Sequence, residues 1–355
     1  MIEPAAAGSR DLAALPKAHL HLHFTGSLRS DTLAELAREH GIRLPDALLS
    51  EWPPQLASVR EQRGWFRFQR LYDAARACVR REDDLRRVVR EAAADDAAEG
   101  SRWLELQVDP TSYAQFVGGI SPALEIILDE AARVSRAGVT QMTVIVAASR
   151  IRHPLEARTL ARLAAQYAGD TPGTVVGFGL SNDERRGETR EFAPAFAIAR
   201  RAGLALVPHA GELLGPTAVA DTLDAIEPDR LGHGVRSVED PRVLERLITD
   251  EVALEVCPLS NVALGVYAEP GEVPLRRLVE AGIPVALGAD DPLLFGSRLT
   301  AQYAAAREVF GFSDAELAQL ARGSVHASSA PGEVRANILD GIDAWLDCAV
   351  DPAGS

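Results

Sequence analysis

The sequence predicts an α/β fold, a (β/α)8 barrel, and three observations carry that prediction. Eight short apolar runs alternate with longer helical patterns along the chain, the signature of parallel βα units. The 355 residues suit one barrel of about 250 residues plus insertions as well as they suit two average domains. No Gly-x-Gly-x-x-Gly or Gly-x-x-x-x-Gly-Lys fingerprint follows any run, so nothing favours the competing doubly wound sheet.

The elements follow in order. Ala18-His19-Leu20-His21-Leu22-His23 alternates with period two and reads as the first strand. Gly26 and Ser27 turn the chain, Ser30 or Asp31 is placed to cap a helix over Thr32–His40, and Gly41 ends it. Residues 42–58 carry three prolines and Trp52 and read as an irregular connection. A helix over Gln62–Val79 follows, with Trp65, Phe66, Phe68 and Leu71 as a lid or core stripe; this is a helical insertion after strand one. A polar-faced helix over Asp83–Gly100 feeds the second strand, Arg102–Val108.

The other strands fall at Gln141–Ala147, Thr174–Leu180, Leu204–Pro208, Arg230–His233, Val252–Val256 and Pro284–Leu287. Crossover helices fit at Pro122–Ala137, Pro154–Ala168, Glu191–Ala202, Ala218–Ile226, Pro241–Ile248 and Leu275–Ala281. Extra C-terminal helices run over Leu299–Phe310, Ser313–Gly323 and Gly332–Leu346, the first two placed to close the ring. Helices 62–79 and 299–323 are expected to shape the rim. No linker divides residues 1–355, so the core is expected at about 15–345, with 1–14 and 349–355 as poorly ordered tails.

Composition narrows the function. Hydrophobic residues at 47% and charged residues at 25% rule out a mainly disordered chain. With 37 basic against 51 acidic residues the net charge is 37 − 51 = −14, which argues against nucleic acid or an anionic membrane as partner. Cys78, Cys257 and Cys348 show no CxxC spacing, so neither a disulfide framework nor a thiolate cluster is expected. No signal-peptide pattern and no run of 18 apolar residues is present, so the expectation is a cytoplasmic protein with a small-molecule partner. A homo-oligomer is neither required nor excluded.

The chemistry lies at strand ends. On a strand, positions i and i+2 point the same way, so His21 and His23 can meet one ion while Leu22 faces away. His209, His233 and Asp290 each fall at or just past the C-terminal end of a later strand, where barrel active sites form. Imidazoles with a carboxylate and a water suit zinc. The plainer readings are a hydrogen-bonded barrel residue for His209 and a helix cap for Asp290-Asp291. A cap needs one carboxylate, however, and two adjacent acids invite a compensating cation or donor. Glu212, three residues after His209, is placed to transfer a proton beside such an ion.

Five motifs, LPKAHLHLHFTGSL, HAGE, RLGHG, CPLSNVALG and LGADDPLLFG, resemble the adenosine and adenine deaminase branch of the metal-dependent amidohydrolases. They keep that branch's order across residues 15–298, with further likeness to about residue 329. The resemblance implies one zinc ion per chain, held by His21, His23, His209 and Asp290. It implies that Glu212 protonates purine N1, that His233 orients a water and takes its proton, and that Asp291 hydrogen-bonds N7. Gly211, Asn182, Thr25 and His23 are then substrate-contacting positions, with His153 near the site in support. The implied reaction is hydrolytic attack at C6 of a 6-aminopurine, releasing ammonia. The cysteine-rich signature of nucleic-acid-editing deaminases is absent.

The chain departs from the branch in four places. Thr25 replaces a carboxylate that holds the ribose 5′-hydroxyl, and Asn182 replaces a glycine against the purine or sugar edge. Gly288-Ala289 stands before the paired acids, which leaves that strand less hydrogen-bonded. Gln107 stands where a basic residue often follows the strand-two glutamate, here Glu105. Relatives act on adenine, on N6-methyl-AMP and on 6-aminodeoxyfutalosine, a menaquinone-pathway nucleoside with a large 5′ extension ending in a carboxylate. Thr25 favours tolerance of such 5′-modified nucleosides over strict adenosine deamination. Arg67, Arg150, Arg152, Arg185 and Arg186 are the candidates to meet a distal carboxylate. The alternatives are a strict adenosine deaminase, an adenine deaminase or another amidohydrolase; a non-catalytic ligand-binding relative predicts loss of a ligand or of Glu212, and none is lost.

Overall fold

The computed structural model describes residues 10–49, 52–138 and 140–348. Eight parallel strands follow one another around a single sheet in chain order: β1 (Lys17–His23), β2 (Ser101–Val108), β3 (Gln141–Ser149), β4 (Val175–Ser181), β5 (Ala205–Ala210), β6 (Arg230–His233), β7 (Ala253–Val256) and β8 (Val285–Leu287). The sheet closes where Leu22 of β1 bridges to Asp290, just beyond β8. This is the (β/α)8 barrel that the alternating runs predict, with no reversal of strand order.

Outward side chains of the strands pack against the helices, Leu104, Leu106, Val144 and Val146 in one buried cluster and Leu20, Leu231 and Leu254 in another. Glu105 on β2 meets Arg230 on β6, the opposite strand, so it must point across the barrel interior. The two-residue period then turns Trp103 and Gln107 inward with it. Inward side chains at the C-terminal strand ends therefore converge on one spot.

The helix Asp314–Ala327 packs on β1 and β8 and completes the ring, and Gly332–Asp347 packs on its outside. A Cβ at Gly323 would lie 2.8 Å from the carbonyl oxygen of Val285, which explains the close approach of that helix to β8. Several expectations are corrected. Residues 299–323 complete the ring and contribute nothing to the pocket at the rim, whereas Gln62–Arg76 does line it. Phe66 is exposed, while Trp65, Phe68 and Leu71 are buried and Phe68 stacks on Phe295.

Neither Ser30 nor Asp31 is the N-cap; the helix starts at Ser30 behind Arg29, and Asp31 accepts from the Thr32 N–H inside the first turn. Residues 10–14 are not a loose tail. Arg10 bonds Asp314, Leu12 is buried, and the Trp345 indole donates to the Asp11 carbonyl at 2.8 Å. Residues 1–9 and 349–355 lie outside the described residues. Short helices at Ala114–Val117, Pro258–Ala263 and Pro292–Phe295 fall in stretches with no helical periodicity in the sequence. Among the described residues no helix is long and apolar enough to cross a membrane.

Candidate active site

The barrel closure places the first side chains. Asp290 donates its N–H to the His21 carbonyl and accepts from the His23 N–H, both at 3.0 Å. Asp290 and His233 hold positive φ, 62° and 63°, a conformation costly for residues with a Cβ and characteristic of functional sites. Glycines make room: a Cβ at Gly288 would lie 2.6 Å from the Cβ of His21, and one at Gly232 would lie 2.9 Å from the His209 ring. The Gly288-Ala289 segment is not short of hydrogen bonds, as the sequence suggested. Gly288 donates to Val256, and Ala289 donates to Nε2 of the buried His19 at 3.0 Å.

Four donors converge. The Nε2 atoms of His23 and His209 face each other at 3.3 Å, and Asp290 Oδ1 lies 3.3 Å from His23 Nε2 and 3.7 Å from His21 Nε2. His21 Nε2 is buried with no hydrogen-bond partner among the described residues. Its other nitrogen, Nδ1, sits 2.8 Å from Glu255 Oε2; a proton held there leaves the Nε2 lone pair free for an ion. Arg230 bridges Glu255 and Glu105, so the orienting carboxylate is itself anchored. Ser260 donates to Asp290 Oδ2 at 2.5 Å. Burial, then the charges of His21 and His23, drives His209 well below the usual histidine range, keeping its ring neutral. At His21 burial opposes the charged form, but Asp290 and Glu255 outweigh it and push its pKa up to about 10. An ion would take the place of the His21 proton: three imidazole nitrogens and a carboxylate, with His21 Nε2 lacking any partner among the described residues, fit a divalent ion.

Two further groups crowd the cluster. His233 Nε2 is near enough to His21 and His209 to join a ligand set, and Cys257 lies beside His233 and Asp290. Burial first, and then Asp290, raises the Cys257 thiol well above its usual range, so it offers no thiolate. His233 Nε2 stands 3.7 Å from Glu212 Oε1 and 3.9 Å from Asp290 Oδ2. Burial lowers its pKa to about 3, so the ring is a neutral base. The Asn261 side-chain amide faces His233 Nδ1 at 3.3 Å. Turned so that its oxygen accepts an Nδ1–H, that amide leaves Nε2 with the lone pair.

Glu212 follows β5 on a loop held from below by one carboxylate. Glu184 accepts from the N–H groups of Gly211, Glu212, Leu213 and Leu214 at 2.6, 3.1, 2.8 and 2.9 Å. Burial, then the charges of Asp290 and Glu184, raises the Glu212 carboxyl well above the usual range. Asp291 is raised in the same way, by burial and then Asp290, and its Oδ1 has no partner among the described residues. The site thus holds an ionised carboxylate, Asp290, flanked by two carboxyl groups that favour keeping their protons.

The pocket above these groups is walled by Phe24, Trp65, Phe68, Tyr72 and Tyr113, with His23, His209, Glu212, His233, Asp290 and Asp291 at its histidine-rich end. Thr25 lines it, its hydroxyl 2.7 Å from that of Tyr113. Asn182 lines it with φ 79°. Gly211 does not reach the pocket; it is buried with its N–H on Glu184. Of the five arginines expected near a distal carboxylate, none lines this pocket. Arg150 donates to the His209 carbonyl and Arg185 to Asp183, while Arg67, Arg152 and Arg186 are exposed. Arg76, from the helix Gln62–Arg76, is the pocket's arginine. His153 is an exposed cap of the helix that follows it.

Sequence reasoning also missed Glu184, Arg230, Glu255, Ser260 and Asn261. Glu255 was within reach of the strand period, two residues before Cys257 on an inward-facing position; Ser260 and Asn261 sit in the CPLSNVALG motif itself.

The family model described as adenosine deaminase matches residues 16–345. A Streptomyces virginiae protein provisionally named adenosine/adenine deaminase is 62% identical, covering 95% of this chain and 98% of its own. An adenine deaminase of Rhizobium leguminosarum bv. trifolii is 35% identical over 92% of this chain and 98% of its own. Among solved structures, adenine deaminase from Arthrobacter aurescens superposes with a TM-score of 0.85 at 28% identity, covering 94% of this chain and 99% of that one. An Arabidopsis N6-mAMP deaminase superposes with a TM-score of 0.82 at 26% identity and the same coverage.

Proposed function

The chain belongs to the adenosine deaminase family, and from that premise we propose that it hydrolyses the C6 amino group of a 6-aminopurine nucleoside, with zinc as its ion. Ammonia leaves and a 6-oxopurine remains. His21, His23, His209 and Asp290 would hold the ion, and the barrel with its added helices forms the one catalytic domain. When bound, such an ion brings the pKa of water to about 7.

The chain's own groups then divide the proton work. Glu212, kept protonated by burial, donates to purine N1 and draws electron density from C6. His233, kept neutral, accepts the proton that the attacking water gives up and passes it to the amino group, which leaves as ammonia while the C6 hydroxyl returns a proton to Glu212. Asp291, also held protonated, donates to N7. One observation carries the reading: two buried, proton-retaining acids flank one ionised carboxylate. Purine recognition uses both, whereas hydrolysis of an ester or amide needs one.

Thr25 supports tolerance at the 5′ position. Its hydroxyl is shared with Tyr113 and brings no charge, so a larger 5′ group meets less desolvation cost than it would beside a carboxylate. 6-Aminodeoxyfutalosine is one nucleoside of that kind. A second reading, free adenine, is favoured by the names of the Rhizobium and Arthrobacter relatives. Ammonia release by zinc-loaded protein from adenosine, 5′-modified adenosines and adenine tests both. Turnover of nucleosides above adenine is expected; a preference for adenine selects the second reading, and no release from any 6-aminopurine overturns the reaction.

A further inference from the structure

Gln107 is a buried polar side chain to which this reaction gives no task. It sits on β2 above Glu105, turned inward by the strand period, and is 1% exposed. It pairs in register with His23 on one side and Ile145 on the other, and it lines the pocket. Neither its amide oxygen nor its amide nitrogen has a hydrogen-bond partner among the described residues. Ser149, inward at the end of β3, lines the same pocket with an equally unpartnered hydroxyl. Its register partner is Ser181, at the end of β4 and also in the lining. Buried donors and acceptors left unmade are costly, and here they are gathered on one arc of the pocket wall.

The purine's own shape says what meets that arc, granted the reaction proposed above. N1 and N7 flank C6, so with N1 at Glu212 beyond β5 and N7 at Asp291 beyond β8, C6 faces the histidines. N3 and N9 lie on the far side of the ring system, and the N9 substituent leaves over the ends of β2 and β3. Each sugar hydroxyl both donates and accepts. A primary amide beside a serine hydroxyl offers the matching set, and a free base presents nothing there to use it. We infer that Gln107 and Ser149 form the subsite for the sugar hydroxyls and set the preference among 9-substituted purines. This rests on the deaminase reading and adds the residues that read the sugar.

The test compares kcat/KM for adenosine, 2′-deoxyadenosine and 3′-deoxyadenosine in wild-type protein and in Gln107→Leu, with metal content measured alongside. Wild type should favour adenosine over at least one deoxynucleoside by about tenfold, and Gln107→Leu should compress that ratio to about threefold or less. A ratio unchanged by the substitution, or an equal loss on all three substrates, overturns the subsite and leaves Gln107 as packing beside His23. Should Gln107→Leu fail to fold, Ser149→Ala removes a single oxygen and must compress the ratio in the same way. If wild-type protein releases no ammonia from any of the three, the reaction itself is wrong. Calorimetric binding of the same nucleosides then reads the subsite separately: equal affinities in wild type and variant overturn it.

Discussion

The backbone N–H of Asp290 donates to the carbonyl oxygen of His21 at 3.0 Å, and this bond helps to close the barrel between β8 and β1. The main-chain ladder that completes the fold is therefore also what aims three of the four proposed ligands, His21, His23 and Asp290, at one point. Glu255 and Arg230 fix the His21 ring from beneath. The fold's own hydrogen bonds thus position these side chains.

Chelation should therefore abolish turnover without unfolding the protein. Circular dichroism in the far and near ultraviolet should survive metal removal, and the melting temperature should fall only by what mass action removes with the ligand. Zinc returned at one equivalent should restore activity. Cooperative loss of structure on chelation would show that the ion, not the barrel closure, organises these side chains.

Glu212→Gln should separate activity from stability. The amide has no proton to give N1, so kcat should fall on the order of 10²–10⁴-fold with the metal retained. In the metal-free protein the folded state raises this carboxyl above its unfolded value. The native state then binds the extra proton between those two pKa values, and stability declines as pH climbs through that window. Glutamine removes the loss, so the metal-free variant should melt roughly 2–4 °C higher than its parent near pH 7. The advantage should vanish below about pH 4, where both states are protonated. Thermal melts across pH check it; equal melting points near pH 7 would mean that Glu212 is ionised in the fold.

The strands were readable because each carries its own signal. His21 and His23 share a face by the two-residue period, and His209, His233 and Asp290 fall at strand ends that the apolar runs mark. What was not readable depends on contacts between distant elements. Glu184 grips residues 211–214 from the loop after β4, and no local pattern links the two. Gly211 belongs to a matched motif, yet that grip turns its N–H away from the pocket. The five arginines were judged by charge alone, and tertiary contacts occupy Arg150 and Arg185, while Arg76 reaches the pocket from the inserted helix. The cap at residue 30 failed for a smaller reason: the helix begins one residue earlier than its polar signal.

Glu184→Ala should loosen the loop that carries Glu212. Four N–H groups lose their acceptor, two of them on buried residues, and the cost should be about 2–4 kcal/mol. Hydrogen exchange at residues 211–214 should speed up, and kcat should drop more than KM rises, because the proton donor is mispositioned before the substrate is lost. Exchange at the parent rate in these four amides would show that another group holds the loop.

The last expectation concerns Thr25 and the 5′ end of the nucleoside. Thr25 and Tyr113 share a hydrogen bond at 2.7 Å, so the threonine hydroxyl already has a partner before any substrate arrives. An adenosine 5′-hydroxyl placed there competes for a satisfied group and gains little, whereas a charged acceptor would gain a bond of about 1.5–3 kcal/mol. Removing the 5′-hydroxyl should consequently cost little. Both 5′-deoxyadenosine and 5′-methylthioadenosine should be turned over with a specificity constant within tenfold of adenosine's, a difference of less than about 1.4 kcal/mol in transition-state binding. Tyr113→Phe frees the Thr25 hydroxyl to serve the substrate, so it should shift the ratio toward adenosine by a few-fold while leaving 5′-deoxyadenosine nearly where it was. Adenosine leading both 5′-modified nucleosides by more than tenfold in the parent protein would show that the 5′-hydroxyl is held by a group other than Thr25.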